Sequence, residues 1–120
     1  MSFLSAADAF RDANSGIGTY REIEYKVIAG ITRELQTAIR QDDRLLLVKA
    51  IDANNRLWSR FQDDLLAAGN RLPQDLKISL LSLARFSLRH GSLVFDGVAD
   101  ADVLVDINLA IMKGLRGNLE

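Results

Sequence analysis

Apolar side chains recur along this chain at intervals of three and four residues, the spacing that gathers them on one face of an α-helix. The first long stripe is Tyr20, Ile23, Val27, Ile31, Leu35 and Ala38, and Thr19 with Glu22 three places on has the capping-box pattern, which together predict a helix over roughly residues 20–40. A second stripe, Leu47, Ile51, Asn54, Trp58, Phe61 and Leu65, follows Asp42 and Asp43, either of which can cap it. It closes at Gly69 and Asn70, where a left-handed C-cap costs little, and is expected to be the longest helix. Pro73 suits the first position of the next helix, Gln74 and Asp75 its first turn, and Arg85, Arg89 and His90 its later turns. Leu76, Ile78 and Leu80 alternate as a strand would, as do Leu81 and Leu83. No hairpin turn separates these two runs and no other strand candidate could pair with them, so the segment is helix. Its large apolar side chains sweep an arc of roughly 220°, leaving Ser82, Arg85 and Arg89 to the remainder.

Past Gly91 the helix can run on to Phe95 before Asp96 and Gly97 punctuate it; Asp100 or Asp102 then caps a last stripe of Leu104, Ile107, Ile111 and Leu115. In front of the long stripes, Phe3, Ala6, Ala7 and Phe10 predict a short helix within residues 2–12, followed by a flexible connector from Asn14 to Gly18. No repeat, low-complexity run or linker divides the chain. The expectation is one all-α domain over residues 1–120, with a short helix and connector over 1–18 and an antiparallel bundle over 19–115, four to five helices in all.

Composition agrees with that architecture: 120 residues suffice for one ordinary domain, and 8 Gly with 1 Pro are few breakers for a chain that is 48% apolar. With 15 basic and 16 acidic residues the net charge is -1, so no global field draws the chain toward nucleic acid or acidic lipid. The absence of cysteine removes disulfides, thiolate nucleophiles and most structural zinc sites. Apolar runs are too short for a membrane span and the N-terminus lacks the basic and apolar regions of a secretory signal, so a cytoplasmic location is expected.

Candidate chemistry is thin. His90 is the sole histidine, placed near a helix C-terminus where a cation is favoured, and no nucleophile-elbow motif accompanies it. Asp96, Asp100, Asp102 and Asp106 miss the spacing of a calcium loop, and Ser15 to Gly18 is too short to cradle phosphate. Asp42–Asp43 and Asp63–Asp64 point about 100° apart on a helix and cannot share a proton. No enzyme activity, metal or cofactor is therefore expected. Arg33, Arg40, Arg44, Lys49, Arg56 and Arg60 form the best basic patch, interleaved with Glu34, Asp42, Asp43 and Asp52, so direct RNA or DNA binding is the lesser alternative.

The middle of the chain is less ordinary. Asn54, Asn55 and Arg56 lie inside a helix, where asparagine is a mediocre former; Asn54 and Asn108 suit buried positions that satisfy backbone carbonyls where loops cross helices. Leu57, Trp58 and Phe61, with the wide arc of the helix after Pro73, offer more apolar surface than a small bundle must bury, which suggests a groove for a partner's amphipathic helix.

Five motifs in order carry a resemblance. Tyr20-Arg21-Glu22-Ile23-Glu24-Tyr25, Thr32-Arg33-Glu34-Leu35, Asn55-Arg56-Leu57-Trp58, Gly69-Asn70-Arg71-Leu72-Pro73, and Asp106-Ile107-Asn108 with Ile111-Met112-Lys113-Gly114-Leu115 together resemble the bacterial flagellar biosynthesis regulator family FlaF, over roughly residues 10–115. Lys77, where the pattern has arginine, and the glycine-rich Ser15 to Gly18 depart from it. The resemblance implies a small helical cytoplasmic protein that promotes flagellin production and filament assembly, opposing or cooperating with the companion regulator FlbT. It further implies a direct complex with flagellin in the manner of an export chaperone. On that basis the expected contact for a flagellin terminal segment is framed by Leu57, Trp58, Phe61 and Leu72, with Asn55 and Arg56 supplying orienting hydrogen bonds. A regulator that touches the flagellin message, or an adaptor of FlbT alone, is the alternative.

Overall fold

A computed structural model describes residues 17–116 of the chain, with side chains over 25–113. The amphipathic stripes fold as four helices: α1 Ile17–Gln41, α2 Arg44–Leu66, α3 Gln74–Phe95 and α4 Asp102–Arg116. No strand occurs among the described residues, and the alternating leucines after Pro73 are helical throughout. The short helix expected within 2–12 and most of its connector fall outside the described residues, as does the side chain of Leu115.

Boundaries differ from expectation in three places. α1 begins at Ile17, so Ile17 and Gly18 of the expected connector and the expected cap Thr19 are helical. The longest helix is α1 with 25 residues rather than α2 with 23. α2 stops at Leu66, where Ala67 turns extended (ψ 142°), instead of running on to a left-handed Gly69. What replaces that cap is a loop organised by Asn70: its side chain donates to the Asp64 carbonyl (3.1 Å) and accepts from the Leu72 amide (3.0 Å), while Lys77 Nζ donates to the Asn70 carbonyl (2.7 Å). The left-handed positions are Asp42 (φ 51°) and Gly97 (φ 79°). At Asp42 the chain reverses within two residues, closing α1 with amide bonds from Asp42 to Ile39 O and from Asp43 to Ala38 O. Asp43 then caps α2 by accepting from the Leu46 amide, as its position suggested.

Neighbouring helices alternate in direction. Arg44, at the start of α2, donates to the carbonyls of Val94 (3.2 Å) and Phe95 at the end of α3, while Leu65 near the end of α2 packs with Leu76 and Leu80 near the start of α3. Along α1, Leu35 meets Ala50, Ile51 and Leu104, and Ile28 meets Trp58, Ile107 and Ile111, so α1 opposes both α2 and α4. The core is three stacked clusters: one around Leu35, Ile51, Val94 and Leu104, a central one around Ile28, Trp58, Ala84 and Ile107, and a third formed by α2, the Asn70 loop and α3. α2 packs chiefly on α1 and α3, and α4 chiefly on α1, with a looser contact between α3 and α4.

Candidate functional site

The central cluster contains a polar layer. One turn of α2 places Asn54 and Trp58 on the same inward face, and α4 presents Asn108 opposite them. The indole Nε1–H of Trp58 donates to Asn108 Oδ1 (3.1 Å), and Asn108 Nδ2 donates to Asn54 Oδ1 (2.8 Å). All three side chains are at most 2% exposed. Asn54 and Asn108 were expected to serve loop carbonyls; they bond each other and the indole instead, because each lies on a helix face turned to the axis of the bundle. Phe61 extends the layer by stacking on Trp58, with ring centroids 5.5 Å apart and planes 16° from parallel.

On the α3 side the fit is tight. A Cβ at Gly91 would collide with Asn55 Oδ1 and come within 3.3 Å of its Cγ, so the absent side chain is what admits the Asn55 amide. Among the described residues, Asn54 Nδ2, Asn55 Oδ1 and Ser87 Oγ are buried without a hydrogen-bond partner. Nearby in chain but nearer the α2 terminus, the carboxyl of Asp64 is pushed above its ordinary value by burial.

These contacts decide what the six expected binding residues do. Trp58 (2% exposed), Leu57 (8%) and Leu72 (8%) are enclosed: the first two lie in the central cluster and Leu72 in the third, with half-buried Phe61 spanning both. Trp58, Phe61 and Leu72 do not line an open groove among the described residues, since α4 supplies the indole's partner and Leu72 is enclosed with Leu65, Leu76 and Leu80. Asn55 is half-buried against Gly91. Arg56 points to solvent and pairs with Asp52 one turn back on its own helix (3.1 Å), an exposed pair of small energetic weight. The expected basic patch is similarly dispersed: Arg44 is taken up by α3 carbonyls, while Arg33 and Lys49 share a shallow depression between α1 and α2 with Glu34.

The surplus apolar surface lies elsewhere. Along the outside of α3, Ile78 (56% exposed), Phe86 (44%) and Leu93 (40%) stand in a row with Ser82 and Arg89 between them, spaced by four, four, three and four residues. Phe86 stacks on His90 (5.7 Å, 13°), and His90 Nε2–H donates to the Asp100 carbonyl (2.8 Å), tying the ring pair to the α3–α4 loop. Arg89 within the row and Arg85 beside it are exposed and have no ion-pair partner among the described residues. Ile78 and Leu93 fall on the same side of α3 as Ser82, Arg85 and Arg89, outside the roughly 220° apolar arc, so periodicity did not reveal this row.

A family model for the flagellar protein FlaF matches residues 6–115. The chain belongs to the FlaF family. No curated protein and no solved structure matches it. In this FlaF chain the motifs behind the resemblance are largely scaffold: the motif ending in Trp58 and the motif ending in Asn108 meet through the indole hydrogen bond, and Asn70 and Leu72 of a third organise the α2–α3 loop. The exposed row of α3 lies between these motifs and belongs to none of them. No described helix is long and apolar enough to cross a membrane.

Proposed function

We propose that this FlaF-family chain is a non-enzymatic, cytoplasmic regulator of flagellin synthesis and filament assembly that acts by binding flagellin as an export chaperone does. Membership of the family supports the flagellar setting. The observation that carries the binding mode is the contrast within α3: its inner side is closed into the core while Ile78, Phe86 and Leu93 stay on the outside. A helix that keeps an apolar row in water has the form of a receptor for another amphipathic helix. Flagellin termini, as amphipathic segments that pair in the filament, are the partners the family implies, and covering their apolar face would keep them from premature association.

The test is size-exclusion chromatography with light scattering of the purified chain mixed with monomeric flagellin. A stoichiometric complex is the expected result. Separate elution of the two, both folded, would overturn the reading and leave FlbT or the flagellin message as the partner to examine.

A further inference from the structure

We propose that the outward face of α3, from Ile78 to Leu93, docks an acidic amphipathic helix of a protein partner. The proposal rests on the reading that the chain works by binding a helical segment, and it specifies which surface and which charge.

From Ile78 to Leu93 the outward side carries three exposed apolar side chains among Ser79, Ser82 and two arginines, and no acidic residue. Ile78, Phe86 and Leu93 span about 23 Å of helix, or four turns, and each is between 40% and 56% exposed. Arg85 and Arg89 stand one turn apart beside them, and α3 has no acidic residue between Asp75 at its start and Asp96 at its end. On the outside of α2, Arg56 is paired with Asp52 of its own helix. A helix laid along α3 would seat its apolar stripe on the three-residue row and bring carboxylates at i and i+4 against the two guanidiniums, which bind carboxylate in a planar fork. Phe86 is held in place for this: its ring stacks on His90, and His90 is fixed by its bond to the Asp100 carbonyl, so little side-chain freedom is lost when a partner arrives.

The same charges argue against other occupants. Two copies of the chain joined through this face would set arginines against arginines. An anionic membrane is usually read by clusters of about four to eight basic residues, and this face has two.

The experiment is an NMR titration of the full chain with a designed helical peptide, a leucine stripe flanked by glutamates at i and i+4. The same peptide with lysines in place of the glutamates, and phosphatidylglycerol vesicles, are titrated alongside. Shifts centred on residues 78–93 are expected with the glutamate peptide. Phe86→Ala, and Arg85→Glu combined with Arg89→Glu, should each weaken it by about tenfold or more while helicity is unchanged, and the double charge reversal should take up the lysine peptide instead. Shifts elsewhere or none, equal binding of the two peptides, or vesicle binding without peptide binding would overturn the proposal. Flagellin run against the same variants separates the two claims. Equal binding of flagellin to wild type and double variant sinks this face and leaves the flagellin reading intact; glutamate-peptide binding without flagellin binding does the reverse.

Discussion

The indole Nε1–H of Trp58 donates to the side-chain carbonyl of Asn108, 3.1 Å away and 50 residues further along the chain, and this bond joins α2 to α4 across the middle of the bundle. Because Asn108 passes its own amide N–H to Asn54, the three side chains form a single directional chain in which each bond presupposes the other. The layer fixes how α4 sits against α2. Buried polar groups of this kind stabilise little by being present and destabilise strongly when left half paired.

Asn108→Ala should therefore be costly. It strands the Trp58 N–H and the Asn54 carbonyl in the core, for an expected loss of about 2–6 kcal/mol at about 1–3 kcal/mol per stranded group, read from urea unfolding monitored by circular dichroism. Asn54→Ala added to Asn108→Ala should cost clearly less than the sum of the single changes, since the second removal leaves nothing further unpaired. Strict additivity would show that the two amides are not coupled.

Gly91 offers a second double-mutant cycle. Gly91→Ala gains helix propensity of about 1 kcal/mol but drives a methyl group into the Asn55 amide, so in the wild-type background the net effect should be zero or unfavourable. Placed on Asn55→Ala the same substitution should stabilise, by up to that full propensity gain. If Gly91→Ala stabilises equally in both backgrounds, the Asn55–Gly91 contact has no energetic weight.

Asp64 gives the chain a pH dependence of known sign. Burial raises its carboxyl above the ordinary 3.8 in the folded state, so folded chain binds the proton more tightly than unfolded chain. The charged form thus weakens the fold at neutral pH, and the penalty fades as pH falls through the raised value and is absent below 3.8. Asp64→Asn should stabilise at pH 7 and confer no advantage in acid below the unperturbed value. The difference between variant and wild-type unfolding free energies across pH checks this; a gain that persists unchanged in acid would point to a packing effect instead.

Helix number, order and phase were legible in the sequence because they depend on local periodicity: the stripes through Leu35, Ile51 and Leu104 all turned inward. Asp43 as a cap was legible for the same local reason. The end of α2 was not, since Asn70 and Lys77 build a loop from contacts that reach across to α3, overriding the C-cap preference of Gly69. Nor could a one-dimensional pattern show that Trp58 would be spent on Asn108. An aromatic beside asparagines reads equally well as a binding edge or as a core layer until the facing helix is in place, and the exposed row of α3 lies on the side that periodicity assigned to polar residues.

The central claim is that a partner is received on the outside of α3 while the polar layer stays shut. Hydrogen–deuterium exchange of the chain with and without flagellin tests it most directly. Exchange should slow across residues 76–95 and remain unchanged around Asn54, Trp58 and Asn108. Faster exchange at those three positions, or protection confined to α2 and α4, would contradict the account, for it would mean that the bundle opens and offers Trp58 itself to the partner.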